Sequence, residues 1–199
     1  VKQVLVVAGG TGSTNLQIGL HAAGIEYELL VNAYDDGKST GFVRRIARCL
    51  GPSDIRKNLH AMLGIRDQRS PYLSTLGCRF NAWSSAEAEG FCFGRCVHNA
   101  VIREGLEEWF RIAGEQRYED VSVMNLALAG LAAARGSMQR AADEIAQSMG
   151  LPAAIHLSSD VNVDLYAVSR SGVSASEGEI VTWGRADDPL ERIEFRWDL

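Results

Sequence analysis

Val4-Leu5-Val6-Val7-Ala8 is an unbroken apolar run ended by Gly9-Gly10. A run of this kind belongs to a strand covered on both faces in a parallel sheet, and it predicts a fully buried strand over Lys2 to Ala8. Leu16, Gly19 and Leu20 then recur at helical spacing, so Thr14 to Ala23 is predicted as a helix stopped by Gly24,. A second apolar run, Tyr27 to Val31, completes a strand–helix–strand unit. A polar loop is predicted from Asn32 to Gly41, a basic helix from Phe42 to Leu50, and a further helix opening near Ser53-Asp54, where a short oxygen-bearing side chain can cap free amides,.

Arg66 to Gly90 shows little periodicity and many turn formers, and is expected to be irregular surface structure, a lid or a subunit contact,. Helical spacing returns in Val97, Ala100, Val101, Leu106, Trp109 and Phe110, then over Val121 to Ala134 and Met138 to Met149,. The alanines around Ala127 to Ala134 predict close helix packing. After Leu151-Pro152 the period changes to two, with Val161, Val163, Leu165 and Ala167 on one face and Gly172, Gly178 and Gly184 punctuating short strands through Trp197,. The fold class expected is α/β: a Rossmann-like three-layer fold with a parallel sheet, plus a small antiparallel strand appendage. One domain is expected over 1–199, its core and helices in 1–150 and a strand-rich continuation in 151–199.

Composition narrows the partners more than the fold. Apolar residues make up 46% of 199 residues, enough for one substantial core,. The net charge of −5 arises from 25 acids against 20 bases spread along the chain, so no basic field suited to nucleic acid is present,. No apolar run reaches the roughly 18–20 residues that span a bilayer, and the opening run lacks a signal-peptide layout. A cytoplasmic protein without a membrane partner is expected, with residues before Val1 removed or left out. Four cysteines are too few for a disulfide scaffold,. Cys92, Cys96, His98 and Cys78 make a poor zinc set, and free thiols are the expected reading. The four histidines form no spaced pair, and Ser13 lacks the setting of a strained nucleophile,.

Three loops carry candidate chemistry. In Gly9-Gly10-Thr11-Gly12-Ser13, between the first strand and first helix, glycines let the backbone approach a phosphate while free amides at the helix start attract negative charge,. The alternative is a tight turn without a ligand. Asn15 stands where the dinucleotide fingerprint needs its third glycine, which argues against nicotinamide or flavin,. Past the second strand, Asp35 and Asp36 place two carboxylates side by side, an arrangement relieved by a divalent cation or a basic neighbour,. An acidic solvated turn is the alternative. Gly37-Lys38-Ser39 imitates the end of a Walker loop, but Asn32 occupies the position of that loop's first glycine, so a standard triphosphatase is rejected,. In Gly51-Pro52-Ser53-Asp54-Ile55-Arg56-Lys57-Asn58, Asp54 is expected either to cap the helix or to face Asp35 or Asp36,. Arg56 and Lys57 are either phosphate ligands or an exposed basic face.

Taken in order, the glycine loop, Asp35-Asp36-Gly37-Lys38-Ser39-Thr40-Gly41 and Gly51 to Asn58 resemble the signature of the CofD/YvcK family. Met124 to Gly130, Asn162-Val163-Asp164-Leu165 and Gly178-Glu179 extend the resemblance over nearly the whole chain. It departs at Lys38, where a second glycine is common, and at Met124, where a glycine precedes the asparagine. The chain also ends at Leu199, before a Gly-Pro-Gly-Ser-type loop belonging to the family's second half. That half is expected from a second chain or a homo-oligomer, unless the protein is divergent or truncated.

The resemblance implies an active cleft at the carboxyl ends of the strands and a nucleotide-type small molecule as ligand. CofD-like members transfer a phospholactyl-type group from a guanylylated donor to a deazaflavin alcohol with Mg2+. YvcK-like members bind a UDP-sugar and act in carbon metabolism or cell-wall regulation. Carried over residue by residue, the resemblance implies nucleotide or phosphate binding at Gly9, Gly10, Thr11, Gly12, Ser13, Ser39, Thr40, Arg56 and Asn125. Catalytic roles fall to Asp35 and Asp36, and metal binding to Asp36 and Asp54. The expected function is therefore a nucleotide-dependent transferase, with a non-catalytic nucleotide-sugar sensor as the alternative.

Overall fold

The computed structural model of the chain describes residues 4–96, 99–180 and 188–197, with Lys38, Arg95, Cys96, Glu177 and Gly178 described through their backbone alone. β1 (Val4–Ala8) pairs in parallel with β2 (Tyr27–Val31), Val4 opposite Tyr27 and Ala8 opposite Val31. Between them a 3-10 turn, Thr11–Ser13, runs into α1 (Thr14–Ala22), which gives way to Gly24 at φ +67°. The expectation that β1 is covered on both faces fails. Val6 and Ala8 are buried, but Leu5 is 57% and Val7 80% exposed. β1 is an edge strand of the sheet, paired on one side only among the described residues.

α2 (Lys38–Ala47) begins four residues earlier than the sequence predicts, because the polar Lys38-Ser39-Thr40 reads as loop yet forms the first helical turn. α3 (Pro52–Arg66) starts where expected, with Pro52 in its first turn, where a missing amide hydrogen costs nothing,. The stretch from Arg66 to Gly90 is not irregular. It holds α4 (Tyr72–Gly77), β3 (Arg79–Ser84) and α5 (Ser85–Phe91), the last with a Ser84/Glu87 capping box,. A π-helical turn, Cys92–Cys96, leads toward α6 (Ala100–Ala113), then β4 (Arg117–Ser122) and α7 (Val123–Arg135). The antiparallel β3–β4 ribbon escapes sequence detection because two register shifts interrupt its alternation,. Trp109 is wholly buried at the ribbon, and its indole Nε1–H donates to the Tyr118 hydroxyl at 2.9 Å.

The close packing predicted for the alanine-rich stretch is present between α6 and α7. A β-carbon at Gly130 would overlap the carbonyl oxygen of Gly105 and lie 2.6 Å from the backbone nitrogen of Trp109. Only a residue without a side chain lets these helix backbones meet, and α7 consequently lies in the centre of the core, buried from Val123 to Ala132.

α8 (Met138–Ser148) leads to β5 (Ile155–Leu157), which pairs in parallel with β2 and gives the sheet order β1-β2-β5. The appendage is built from β6 (Asp164–Ser169), β7 (Ser174–Ser176) and β8 (Leu190–Arg196), antiparallel in the order β7-β6-β8, with a short α9 (Glu177–Ile180). The expected turn at Gly184 lies outside the described residues. The chain thus has a Rossmann-like α/β fold with a parallel sheet and small antiparallel additions. Among the described residues no helix is long and apolar enough to cross a membrane.

Candidate functional site

The three parallel strands end at one rim. Asn32 N–H donates to the Ala8 carbonyl at 3.1 Å, Ser158 N–H to the Val31 carbonyl at 2.9 Å, and Ala33 N–H to Ser158 Oγ at 3.2 Å. Side chains just past the strands are therefore gathered at their carboxyl ends, where open parallel sheets present ligands.

The glycine loop forms the first part of this rim. Gly9, Thr11 and Gly12 are exposed, whereas Ser13 turns inward. Beneath the loop sits Asn58, wholly buried. Its Nδ2 donates to the Gly9 carbonyl at 2.7 Å and to the Asp54 carbonyl at 2.8 Å. Its Oδ1 accepts from Ser13 Oγ at 3.1 Å and Gln17 Nε2 at 2.8 Å. One amide thus ties both ends of the loop to α3. The opening turn of α3 stands over Gly10, where a β-carbon would come within 2.8 Å of Asp54 Oδ1 and 2.7 Å of Lys57 Nζ. Asp54 does not cap its helix, since the α3 N-cap is Gly51 and no side chain accepts there. Its carboxylate lies beside the glycine loop, paired with Lys57 at 2.9 Å.

Asp35 and Asp36 face different surroundings. Asp35 Oδ1 accepts from the Gly37 amide at 3.2 Å, and Oδ2 accepts from Thr40 Oγ1 at 2.8 Å. Thr40 Oγ1 lies 2.5 Å from Ser53 Oγ, to which Asn125 Nδ2 donates at 2.9 Å. This buried chain joins the acidic loop, α2, α3 and α7, and places Thr40 and Asn125 inside the protein beneath the rim. Asn125 Oδ1 is a buried acceptor with no hydrogen-bond partner among the described residues. Gly51 permits the junction, because a β-carbon there would stand 2.5 Å from the Asp35 carbonyl oxygen.

Asp36 instead borders a polar cavity of about 500 Å³ shared with Arg44, Arg45, Arg48, Asn162, Asp164, Tyr166, Ser176 and Glu179. Arg44, 5% exposed, lies 3.8 Å from Asp36 and 2.8 Å from Asp164, and donates to the Val163 carbonyl at 2.8 Å. It cross-links α2 to the start of β6. The Asp35-Asp36 pair is relieved in the way the sequence anticipates, by a basic neighbour on one carboxylate and hydrogen-bond donors on the other.

The remaining expected residues lie apart. Ser39 borders a separate depression with Phe42, Arg117 and Asp120. Arg56 is buried and donates from Nη1 to the Leu76 carbonyl at 3.2 Å. Burial lowers its pKa, nearby Arg79 adds to this, and Asp54 and Asp35 oppose it. Sequence reasoning missed Asn58, Ser53 and Gln17 as site-forming residues. A polar residue inside an otherwise amphipathic helix is the signal that could have found Asn58, since such a residue must be satisfied by something outside its helix.

Among the described residues no three His, Cys, Asp or Glu side chains converge on a metal position. The Cys96 side chain and His98, two of the zinc candidates, lie outside the described residues, and Cys49 is a buried free thiol. The carboxylates of Asp36 and Asp54 are oxygen donors of the kind Mg2+ takes, but each already faces a cation, Lys57 at 2.9 Å from Asp54 and Arg44 at 3.8 Å from Asp36.

Similarity to known proteins fits this geometry. A protein of Lactococcus lactis subsp. lactis (strain IL1403) named "Putative gluconeogenesis factor" is 28% identical over 170 residues, covering 85% of this chain and 42% of its own length. A crystal structure of a UPF0052 family member from Bacillus halodurans matches with a TM-score of 0.62 at 21% identity, over 98% of this chain and 50% of that one. A second crystal structure from the same organism gives 0.61 at 20% identity. The chain spans about half the length of the relatives it matches. The family model described as 2-phospho-L-lactate transferase CofD matches residues 4–196, so the chain belongs to the CofD family.

Proposed function

We propose that this chain is a nucleotide-dependent transferase of the CofD type, acting in the cytoplasm on a phosphoryl-linked group. The observation that carries the reading is the Asn58-braced glycine loop with Asp54 and Lys57 standing over Gly10. In this reading the exposed backbone of Gly9 to Gly12 takes the donor phosphates, and Lys57 adds positive charge beside them. Asp54 and Asp36 would supply oxygens to Mg2+, which would neutralise charge on those phosphates. Asp35, held by the Gly37 amide and Thr40, is a positioning group. Asp36 borders the cavity and takes the proton of the acceptor hydroxyl as its oxygen bonds to phosphorus and the nucleoside phosphate leaves.

The second reading, a nucleotide-sugar sensor without turnover, is favoured by the relative named as a gluconeogenesis factor and by the hydrogen bonds that engage both oxygens of Asp35. Calorimetric titration with GDP, GTP, UDP-sugars and NAD, each with and without Mg2+, separates the two. Magnesium-dependent guanine-nucleotide binding, with product formed from a guanylylated donor and lost in Asp36→Asn while binding persists, supports the transferase. Selective UDP-sugar binding without turnover supports the sensor. Ligand affinity unchanged by Gly10→Glu would refute the phosphate loop in both.

A further inference from the structure

The cavity beside Asp36 is lined by three arginines and three carboxylates, Asp36, Asp164 and Glu179. Of its three arginines, Arg44 is committed: it is buried, paired with Asp164 at 2.8 Å and bonded to the Val163 carbonyl. Arg45 and Arg48 differ. Both are exposed at the cavity wall, and among the described residues neither forms an ion pair or a side-chain hydrogen bond. Arg45 lies in the last turn of α2 and Arg48 is its C-cap, in the left-handed conformation at φ +49°, and both line the same cavity. The acids of the wall are occupied in part: Asp164 by Arg44, and Glu179 by the Ser176 amide at 2.8 Å and hydroxyl at 3.0 Å.

Arg45 is also directed. Its Nη1 lies 3.2 Å from the point where a β-carbon on Gly41 would stand, and Asp36 Oδ1 lies 2.7 Å from that same point. The absence of a side chain at position 41 therefore lets a guanidinium and a carboxylate share the space above it. An anion bound by Arg45 would sit beside Asp36. Arginines in the last turn of a helix also complement its dipole, but that role is satisfied by a solvated side chain and does not require a polar cavity.

We propose that Arg45 and Arg48 form an anion subsite, taking a phosphate or carboxylate group on the molecule that enters this cavity. A planar guanidinium offers two parallel N–H donors to either group, and Arg48 on the wall of the same cavity supplies a second such fork,. This deepens the transferase reading: it assigns a negative charge to the group positioned next to Asp36, in a cavity whose lining includes none of Gly9 to Ser13. Arg44, fixed by Asp164 and Val163, orients the helical segment that presents both residues.

The test is a calorimetric titration of the full chain with pyrophosphate and, separately, with malonate, at ionic strength held constant with sodium chloride. Arg45→Gln, Arg48→Gln and the double variant are compared with Gly10→Glu. The expected result is at least about tenfold weaker binding in the double variant, equivalent to about 1.4 kcal/mol, with Gly10→Glu unchanged for the anion that uses this subsite. Pyrophosphate alone affected identifies a phosphate group, and malonate alone a carboxylate. Anion binding lost in Gly10→Glu but kept in the double variant overturns the subsite and leaves the phosphate loop standing. No binding of either anion, or equal binding in all proteins, also overturns it. Both arginines are exposed, so circular dichroism and melting temperature should match wild type.

Discussion

Replacing Asn58 with alanine tests the central brace of the site. The change removes the two N–H donations to the Gly9 and Asp54 carbonyls and the oxygen that accepts from Ser13 and Gln17. These losses are unequal. Gln17 Nε2 keeps Ser13 Oγ at 3.1 Å, and the Ser13 hydroxyl can rotate, so part of the network recovers. The Gly9 carbonyl loses its Asn58 donor, and a gap opens where a wholly buried side chain stood. With about 1–3 kcal/mol for an unsatisfied buried polar group, and a smaller packing contribution, the expected destabilisation is about 2–4 kcal/mol. For a chain of this length that corresponds to a fall in melting temperature of roughly 5–15 °C. Urea denaturation of wild type, Asn58→Ala and Asn58→Asp gives the magnitude. Asn58→Asp keeps the acceptor but turns a carboxylate toward two carbonyl oxygens, and should be at least as destabilising near neutral pH. Nucleotide affinity should fall beyond the loss of folded protein, because the loop is no longer held to α3. A change within about 0.5 kcal/mol for Asn58→Ala would refute the brace.

Three further outcomes follow from packing and charge. Gly130→Ala places a β-carbon on the Gly105 carbonyl oxygen, where neither backbone can yield by rotating a side chain; a loss of about 3 kcal/mol in urea melts is expected, and wild-type stability would contradict the close contact. Gly51→Ala pushes on the Asp35 carbonyl and should reduce ligand affinity with smaller stability loss, read by calorimetry beside denaturation. Cys49 is buried, and burial pushes its thiol up to about 12 despite the opposing charge of Arg44. At pH 8 it should resist iodoacetamide while the half-buried Cys78 reacts, as peptide mass mapping would show,. The folded chain holds this proton more tightly than the unfolded chain. Its contribution to stability is therefore complete below the ordinary thiol pKa and declines as pH rises toward about 12, a slope that Cys49→Ala should lack.

How far the sequence could be read depended on whether a residue's partners were near it in the chain. Strand β2 and helices α1, α3 and α8 were legible because apolar spacing and end signals lie within each segment. The covering of β1 was misjudged, since alternation of exposure cannot appear in a run where every residue is apolar. The β3–β4 ribbon joins segments about forty residues apart, with Ala82 and Asp120 at positive φ, so neither strand carries a clean period of two. Within the site, the acidic pair, the glycine loop and the α3 opening could be picked out from local residue types. Asp54 could not be assigned, because capping and facing the loop demand the same residue at the same position. Asn58 became meaningful only when Gly9, 49 residues earlier, was found resting on it.

The outward side of β1 has a consequence for how the chain behaves in a tube. Leu5 and Val7 are exposed on one face of β1, whose outer edge is unpaired among the described residues, while α1 buries Gln17 and leaves Leu16 53% and Ile18 49% exposed. An edge strand that is apolar, extended and uncharged is a template for adding another extended chain. Colloidal stability of the 199-residue chain will therefore be governed by a few side chains remote from its chemistry. Val7→Lys, which interrupts that edge without touching the buried Val6 and Ala8, should raise the concentration at which light scattering first increases while leaving the melting temperature nearly unchanged.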